Sequence, residues 1–147
     1  MNILFVCTGN TCRSPMAAAL LEEMARKEGM DIKVKSAGIF AQAGQKASKG
    51  AIHVLKMDGI DIEDTHKASM VSLDLLKEAD LILTMGTSHK DALISRFKFV
   101  EGKTYTLKEY AYGIEEDIED PFGGDIYIYN STKDEIKDVL KDIIKKI

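Results

Sequence analysis

The sequence predicts an α/β fold. It should form a three-layer αβα sandwich around a four-stranded parallel sheet in the order 2-1-3-4, with a phosphate-binding loop after the first strand. Three observations carry that prediction. Strand-like and helix-like patterns alternate along the chain, which favours parallel strands joined by helical crossovers. Two strand segments, residues 3–6 and 81–85, are apolar but for Thr84 and belong in the middle of a sheet covered on both faces. Two others, residues 32–37 and 103–107, alternate apolar and polar side chains and belong at the edges. The loop after the first strand then lies at the topological switch point, where ligands bind in such folds.

The elements follow in order. The first strand is residues 2–6. The first helix covers about residues 14–28, with Pro15 in its first turn, where a missing N–H costs nothing. Met16, Leu20, Met24, Ala17 and Leu21 form its apolar face, and Gly29 stops it. The second strand, residues 32–37, runs into Ser36-Ala37-Gly38. Residues 40–45 form a loop that would overhang the first loop, with Phe40 at the rim or simply packed. A second helix spans residues 48–57, where His53 reads as a surface or boundary residue, and Gly59 ends it. Residues 61–69 are a loop and residues 72–78 a short helix. The third strand is followed by a helix over residues 87–96, capped by Thr87 or Ser88. After the fourth strand comes a long loop, residues 117–129, and loops of that length tend to be functional. The last helix covers residues 133–147. Thr132 and Glu135 make a capping box, and Ile136, Val139, Leu140, Ile143, Ile144 and Ile147 make an apolar stripe.

Composition sets bounds on the function. A chain of 147 residues with 45% apolar content predicts one domain, residues 1–147, with one core. The net charge of −4 comes from interspersed acids and bases, which argues against nucleic-acid or anionic-membrane partners. No apolar run approaches the ~20 residues of a membrane span. No signal-peptide pattern is visible. The two cysteines, Cys7 and Cys12, sit close together in one loop, which suits a reducing cytoplasm rather than a disulfide framework. A monomer is the simplest expectation. The three histidines are scattered, so neither a metal nor another cofactor is expected.

The most informative stretch is Cys7-Thr8-Gly9-Asn10-Thr11-Cys12-Arg13-Ser14-Pro15. A small-residue loop between a strand and a helix can point successive N–H groups into one concavity, and the helix N-terminus adds partial positive charge. Cys7 and Arg13 are separated by five residues, and a curled loop can bring both to one bound oxyanion. The N–H donors, the dipole and the guanidinium would favour a thiolate. Arg13 can hold two phosphate oxygens in a fork. Ser14 can donate to the sulfur and ease its departure. Gly9 gives freedom where positive φ is needed, and Asn10 tolerates left-handed geometry.

This stretch, Cys-x5-Arg-Ser-Pro directly after the first strand, resembles the low-molecular-weight protein tyrosine phosphatases. The resemblance covers nearly the whole chain and implies the same architecture. It implies Cys7 as nucleophile, Arg13 as phosphate ligand, and Thr8, Gly9, Asn10, Thr11, Cys12 and Ser14 as the binding loop. It also implies that Ser36 and the His66 of His66-Lys67-Ala68 support the loop through Asn10. The family carries its general acid in an Asp-Pro before the last helix, and Asp120-Pro121 matches that position. A bound phosphate would repel the Asp120 carboxylate and help keep the proton on it. A second cysteine at the position of Cys12 can pair reversibly with the nucleophile in the family, shielding it from over-oxidation.

The sequence departs from the tyrosine pattern at two places. Thr11 replaces a common aliphatic residue. After Asp-Pro, Phe122 is followed by Gly123-Gly124 instead of a second aromatic. With one wall missing, a polar, narrower residue in the loop suits a planar cation better than an aromatic ring, and Asp120 could grip such a cation while Phe122 stacks upon it. Thr11 with Asp120-Pro121-Phe122-Gly123-Gly124 resembles the bacterial protein arginine phosphatase branch. Phosphoarginine on proteins is therefore the expected substrate, with phosphotyrosine as the alternative. An arsenate reductase would need further cysteines downstream, and none follows Cys12. A binding module without turnover would have no need of Cys7, Arg13 and Asp120 together. A cysteine-phosphorylated sugar-transport subunit would have no need of the loop arginine.

Overall fold

The computed structural model describes residues 1–147. Four parallel strands, β1 (Asn2–Cys7), β2 (Lys33–Gly38), β3 (Leu81–Thr84) and β4 (Thr104–Thr106), form one sheet in the order β2-β1-β3-β4. The helices are α1 (Arg13–Lys27), α2 (Lys49–Met57), α3 (Leu73–Glu78), α4 (Thr87–Arg96), α5 (Leu107–Tyr112) and α6 (Ile126–Ile144). No helix is long and apolar enough to cross a membrane.

The two-residue period of the central strands divides the core. Ile3, Phe5 and Cys7 of β1 and Leu81 and Leu83 of β3 face one side, where they meet Met16, Leu20 and Leu21 of α1 and Ile136, Leu140 and Ile143 of α6. Leu4, Val6 and Ile82 face the other side, against Leu76 of α3, Leu93 of α4 and Val100. Every residue of β3 is buried; Leu81, Ile82 and Leu83 are apolar, and Thr84 donates its hydroxyl to the Gly86 carbonyl at 2.9 Å. The same parity turns Cys7 toward the α1 layer, at the sheet edge where α1 begins.

Several expected elements differ. α6 begins at Ile126, two turns before residue 133, and ends at Ile144. Its cap is Asp125, whose carboxylate accepts from the Ile128 N–H at 3.0 Å. Thr132 and Glu135 form no capping box. Thr132 is buried inside the helix, and Glu135 instead accepts from the Glu119 N–H and from Lys108. The capping box lies at Thr106 and Glu109, where it starts α5, a helix absent from the sequence expectation. The cap position of α4 is Gly86 rather than Thr87 or Ser88, and Asp117 Oδ1 accepts from the Thr87 N–H at 2.8 Å. β4 is an edge strand, yet Thr104 and Thr106 are buried rather than wet. Thr104 is fastened to Val100 of a preceding 3-10 helix (Lys98–Lys103), and Thr106 is consumed in the α5 cap.

Candidate active site

Residues between β1 and α1 curl around Asn10. It is the one non-glycine residue in the left-handed region, with φ 57°, and it is fully buried. Asn10 Nδ2 donates to Ser14 Oγ at 2.8 Å and to Ser36 Oγ at 2.9 Å. Its Oδ1 accepts from the Ser69 N–H at 2.9 Å, and its backbone carbonyl accepts from His66 Nε2 at 2.8 Å. A carbonyl can only accept, so Nε2 of His66 carries the proton. Burial pushes the His66 imidazole down, and the Asn10 carbonyl opposes the shift. Ser36 and His66 thus both support the loop, one through the Asn10 side chain and one through its backbone. Gly9 does not take positive φ; Asn10 alone makes that turn in the loop. The glycine with a steric role is Gly38, at the end of β2. A Cβ there would lie 2.5 Å from the Thr8 carbonyl oxygen and 3.0 Å from the Asn10 nitrogen.

The Cys7 thiol is buried. Its Sγ lies 2.8 Å from Ser14 Oγ and accepts from the Asn10 N–H at 3.3 Å. Ser14 Oγ accepts from Asn10 Nδ2; either Ser14 or a neutral Cys7 thiol can donate to the other, and once the sulfur is a thiolate the hydroxyl is the donor. Burial pushes the Cys7 thiol up. The Ser14 hydroxyl, the Ser14 and Asn10 amides and Arg13 pull the other way without overcoming it. The sequence shows the donors that favour a thiolate but not the depth of the sulfur, which opposes them.

Arg13 is buried at the start of α1 and is held by the late loop. Its Nη1 donates to the Ile118 carbonyl at 2.8 Å, and its Nη2 lies 3.6 Å from Asp120 Oδ2. The Ile118 N–H in turn donates to the Met85 carbonyl at the end of β3, at 2.8 Å. Asp120 accepts from the Phe122 N–H at 3.1 Å, a local turn that aims the carboxylate, and about half of its side chain is exposed. A cleft of about 330 Å³ is lined by Cys7, Thr8, Gly9, Thr11, Cys12 and Arg13 from the loop, and by Asp120, Phe122 and Gln45. Residues more than a hundred positions apart therefore share one concavity. Phe122 is 79% exposed at its mouth. Phe40 lies outside this cleft, in a separate apolar groove with Ile39, Ala92, Leu93 and Phe97.

Three neighbours were not anticipated from the sequence. Gln45 lines the cleft. Tyr129 lies on the first turns of α6, with its hydroxyl 3.3 Å from Cys12 Sγ. Cys12 also donates to Ser48 Oγ at 3.4 Å, and both cysteines are free thiols. Burial pushes the Tyr129 phenol up to about 12, with Cys12 adding to the shift and Ser48 opposing it, so the hydroxyl keeps its proton. Gly50 makes room for the ring, since a Cβ there would overlap it. The third neighbour is His89 on α4, with Nε2 2.9 Å from Thr8 Oγ1. Burial pushes this imidazole down to about 4, and Arg13 adds to the shift while Asp117 and Asp120 oppose it. The early start of α6 hid Tyr129, and no local motif marks His89.

A profile described as low molecular weight phosphotyrosine protein phosphatase matches residues 2–147. The chain belongs to that family. Within it, the chain is similar to the protein-arginine-phosphatase of Bacillus subtilis (strain 168), with 44% identity over 147 residues covering 100% of this chain and 97% of the relative. It is also similar to the low molecular weight protein-tyrosine-phosphatase PtpB of Staphylococcus epidermidis, with 36% identity covering 97% and 96% of the two chains. A solved structure described as the YwlE arginine phosphatase, a C7S mutant with phosphorylated active site serine, superposes with a TM-score of 0.96. That pair shares 43% identity over 99% of this chain and 95% of the other. The family's four-stranded fold and its loop after β1 are those described above.

Proposed function

We propose that this chain is a cysteine-dependent protein phosphatase that hydrolyses phosphoarginine on proteins through a cysteinyl-phosphate intermediate. The observation that carries the reading is the convergence of Cys7, Arg13 and Asp120 on one cleft, with a Ser14 hydroxyl 2.8 Å from the sulfur. In the first step Cys7 Sγ, as thiolate, attacks phosphorus in line. The S–P bond forms as the P–N bond breaks, and Asp120 delivers its proton to the departing guanidine nitrogen. Arg13 and the loop amides hold the three equatorial oxygens, whose charge they stabilise. In the second step Asp120 takes a proton from water, the water oxygen attacks phosphorus, and the S–P bond breaks. The Ser14 hydroxyl stabilises the departing thiolate, and inorganic phosphate leaves.

The choice of phosphoarginine is supported by Thr11 in the cleft lining and by Phe122 standing free at its mouth, where it can stack on a guanidinium plane. Two relatives at 44% and 46% identity bear the name protein-arginine-phosphatase. Phosphotyrosine is the second reading, favoured by the relatives named tyrosine phosphatases at 36% identity and above. The substrates are phosphorylated proteins, the chain acts as a monomer, and its free thiols suit the cytoplasm.

Matched peptides carrying phosphoarginine or phosphotyrosine decide between the two. The expected kcat/KM ratio favours phosphoarginine by about ten-fold or more, the equivalent of one well-formed polar contact. Thr11→Ile should move that ratio toward phosphotyrosine. Equal or higher efficiency on phosphotyrosine in the unmodified protein would assign the chain to the second reading.

A further inference from the structure

His89 belongs to the layer on the opposite side of the sheet from α1, yet it reaches the phosphate loop. It lies in the first turn of α4 and is 6% exposed. Its Nε2 is 2.9 Å from Thr8 Oγ1. Its Nδ1 is buried without any hydrogen-bond partner. A buried ring nitrogen left unpaired is costly, and an apolar side chain of similar size would avoid that cost. The ring's polar contact is therefore with Thr8.

Thr8 sits between two peptide units whose directions matter for anion binding. The Cys7 carbonyl accepts from the Ile39 N–H at 3.0 Å, and the Thr8 carbonyl accepts from the Phe40 N–H at 2.9 Å. In a trans peptide the N–H points away from the C=O. Turning these two carbonyls toward residues 39 and 40 therefore turns the Thr8 and Gly9 N–H groups the other way, toward the cleft that both residues line. The rotation between the two units is set by the Thr8 backbone, and the Thr8 side chain is tethered by His89. We infer that His89 is a positioning residue, which holds Thr8 so that the first two amides of the phosphate cradle converge on the bound anion.

The inference rests on the phosphatase reading only through the anion cradle, so binding of inorganic phosphate is the measurement of choice. The dissociation constant for phosphate would be taken for the unmodified protein, His89→Leu, His89→Gln, Thr8→Val and the Leu/Val double variant, with kcat and KM on an aryl phosphate and a melting curve for each. His89→Leu and Thr8→Val should each weaken phosphate binding about five- to ten-fold, as loss of one ordinary hydrogen bond does. KM should rise in parallel while kcat changes little, because the contact acts equally on ground and transition states. The double variant should be no weaker than either single one. His89→Gln, whose amide nitrogen can reach Thr8, should recover most of the affinity. Multiplying effects in the double variant, or unaltered phosphate binding in Thr8→Val, would overturn the inference even if His89→Leu fails to fold. A glutamine variant as weak as the leucine one at native melting temperature would overturn it too. An unmodified protein that binds no phosphate would sink the phosphatase reading itself.

Discussion

At the scale of single residues, the chemistry turns on how a buried sulfur becomes an anion. Depth alone pushes the Cys7 thiol up, and the groups that oppose it are few and nameable: the Ser14 hydroxyl first, then the Ser14 and Asn10 amides and Arg13. Ser14 Oγ accepts from Asn10, which is held in turn by Ser36, Ser69 and His66, and its hydroxyl proton is the one that can meet a thiolate at Cys7. Removing the hydroxyl should therefore act on both chemical steps. In Ser14→Ala the acid limb of the kcat/KM profile should move to higher pH, since losing a contact that lowers the thiol's pKa raises it. kcat should fall about ten- to hundred-fold, in the range lost with one charge-assisted hydrogen bond. A pH–rate series on an aryl phosphate checks this. An unmoved acid limb would mean that Ser14 merely fills space.

At the scale of elements, the cleft wall depends on how α2 meets α6. Ser48 caps α2 and Tyr129 lies on α6, and Cys12 touches both. The joint is fastened at its other end by Asp58, which accepts Lys133 at 3.1 Å and Lys137 at 3.3 Å. Asp58 stands at the C-terminus of α2, where a lone carboxylate would face the negative end of the helix dipole. Lys133 is almost wholly buried, so its ammonium depends on this partner. Partial burial acts to raise the Asp58 carboxyl, but Lys133 and then Lys137 outweigh it and leave it below its ordinary value. A depressed carboxyl contributes stability that is present above the unfolded pKa of about 3.9 and is lost as pH falls through the folded value. Asp58→Asn should cost about 2 kcal/mol near neutral pH, below the roughly 3–5 kcal/mol of a fully buried broken pair because Asp58 keeps some solvent contact. The gap in denaturant midpoint should close below about pH 4. A gap that persists in acid would mean that packing, not charge, holds the joint.

At the scale of the whole molecule, the strand order places the phosphate loop where β1 flanks both β2 and β3, so that loops from both halves of the chain can reach it. That order was legible in the sequence because burial on two faces leaves an unbroken apolar run and burial on one leaves alternation. Cys7, Arg13 and Ser14 were legible because eight consecutive positions write the loop. Asp120 was legible through its proline. His89, Gln45 and Tyr129 were not, since each meets the site from a distant segment with no local mark of its partner. The two early turns of α6 are hidden in the sequence because Gly123 and Gly124 prolong the apparent loop ahead of the Asp125 cap. The missed α5 was signalled by Thr106 and Glu109, in a segment that read as strand. The molecule as a whole is thus a frame that brings a sulfur, a guanidinium and a late-loop carboxylate to one cleft. The most direct test is rapid-quench mass spectrometry of Asp120→Asn with p-nitrophenyl phosphate, whose leaving group needs no proton. With the base for the second step removed, one phosphoryl group should accumulate on Cys7 and nowhere else. Phosphate release with no labelled cysteine, or a label on another residue, would contradict the account.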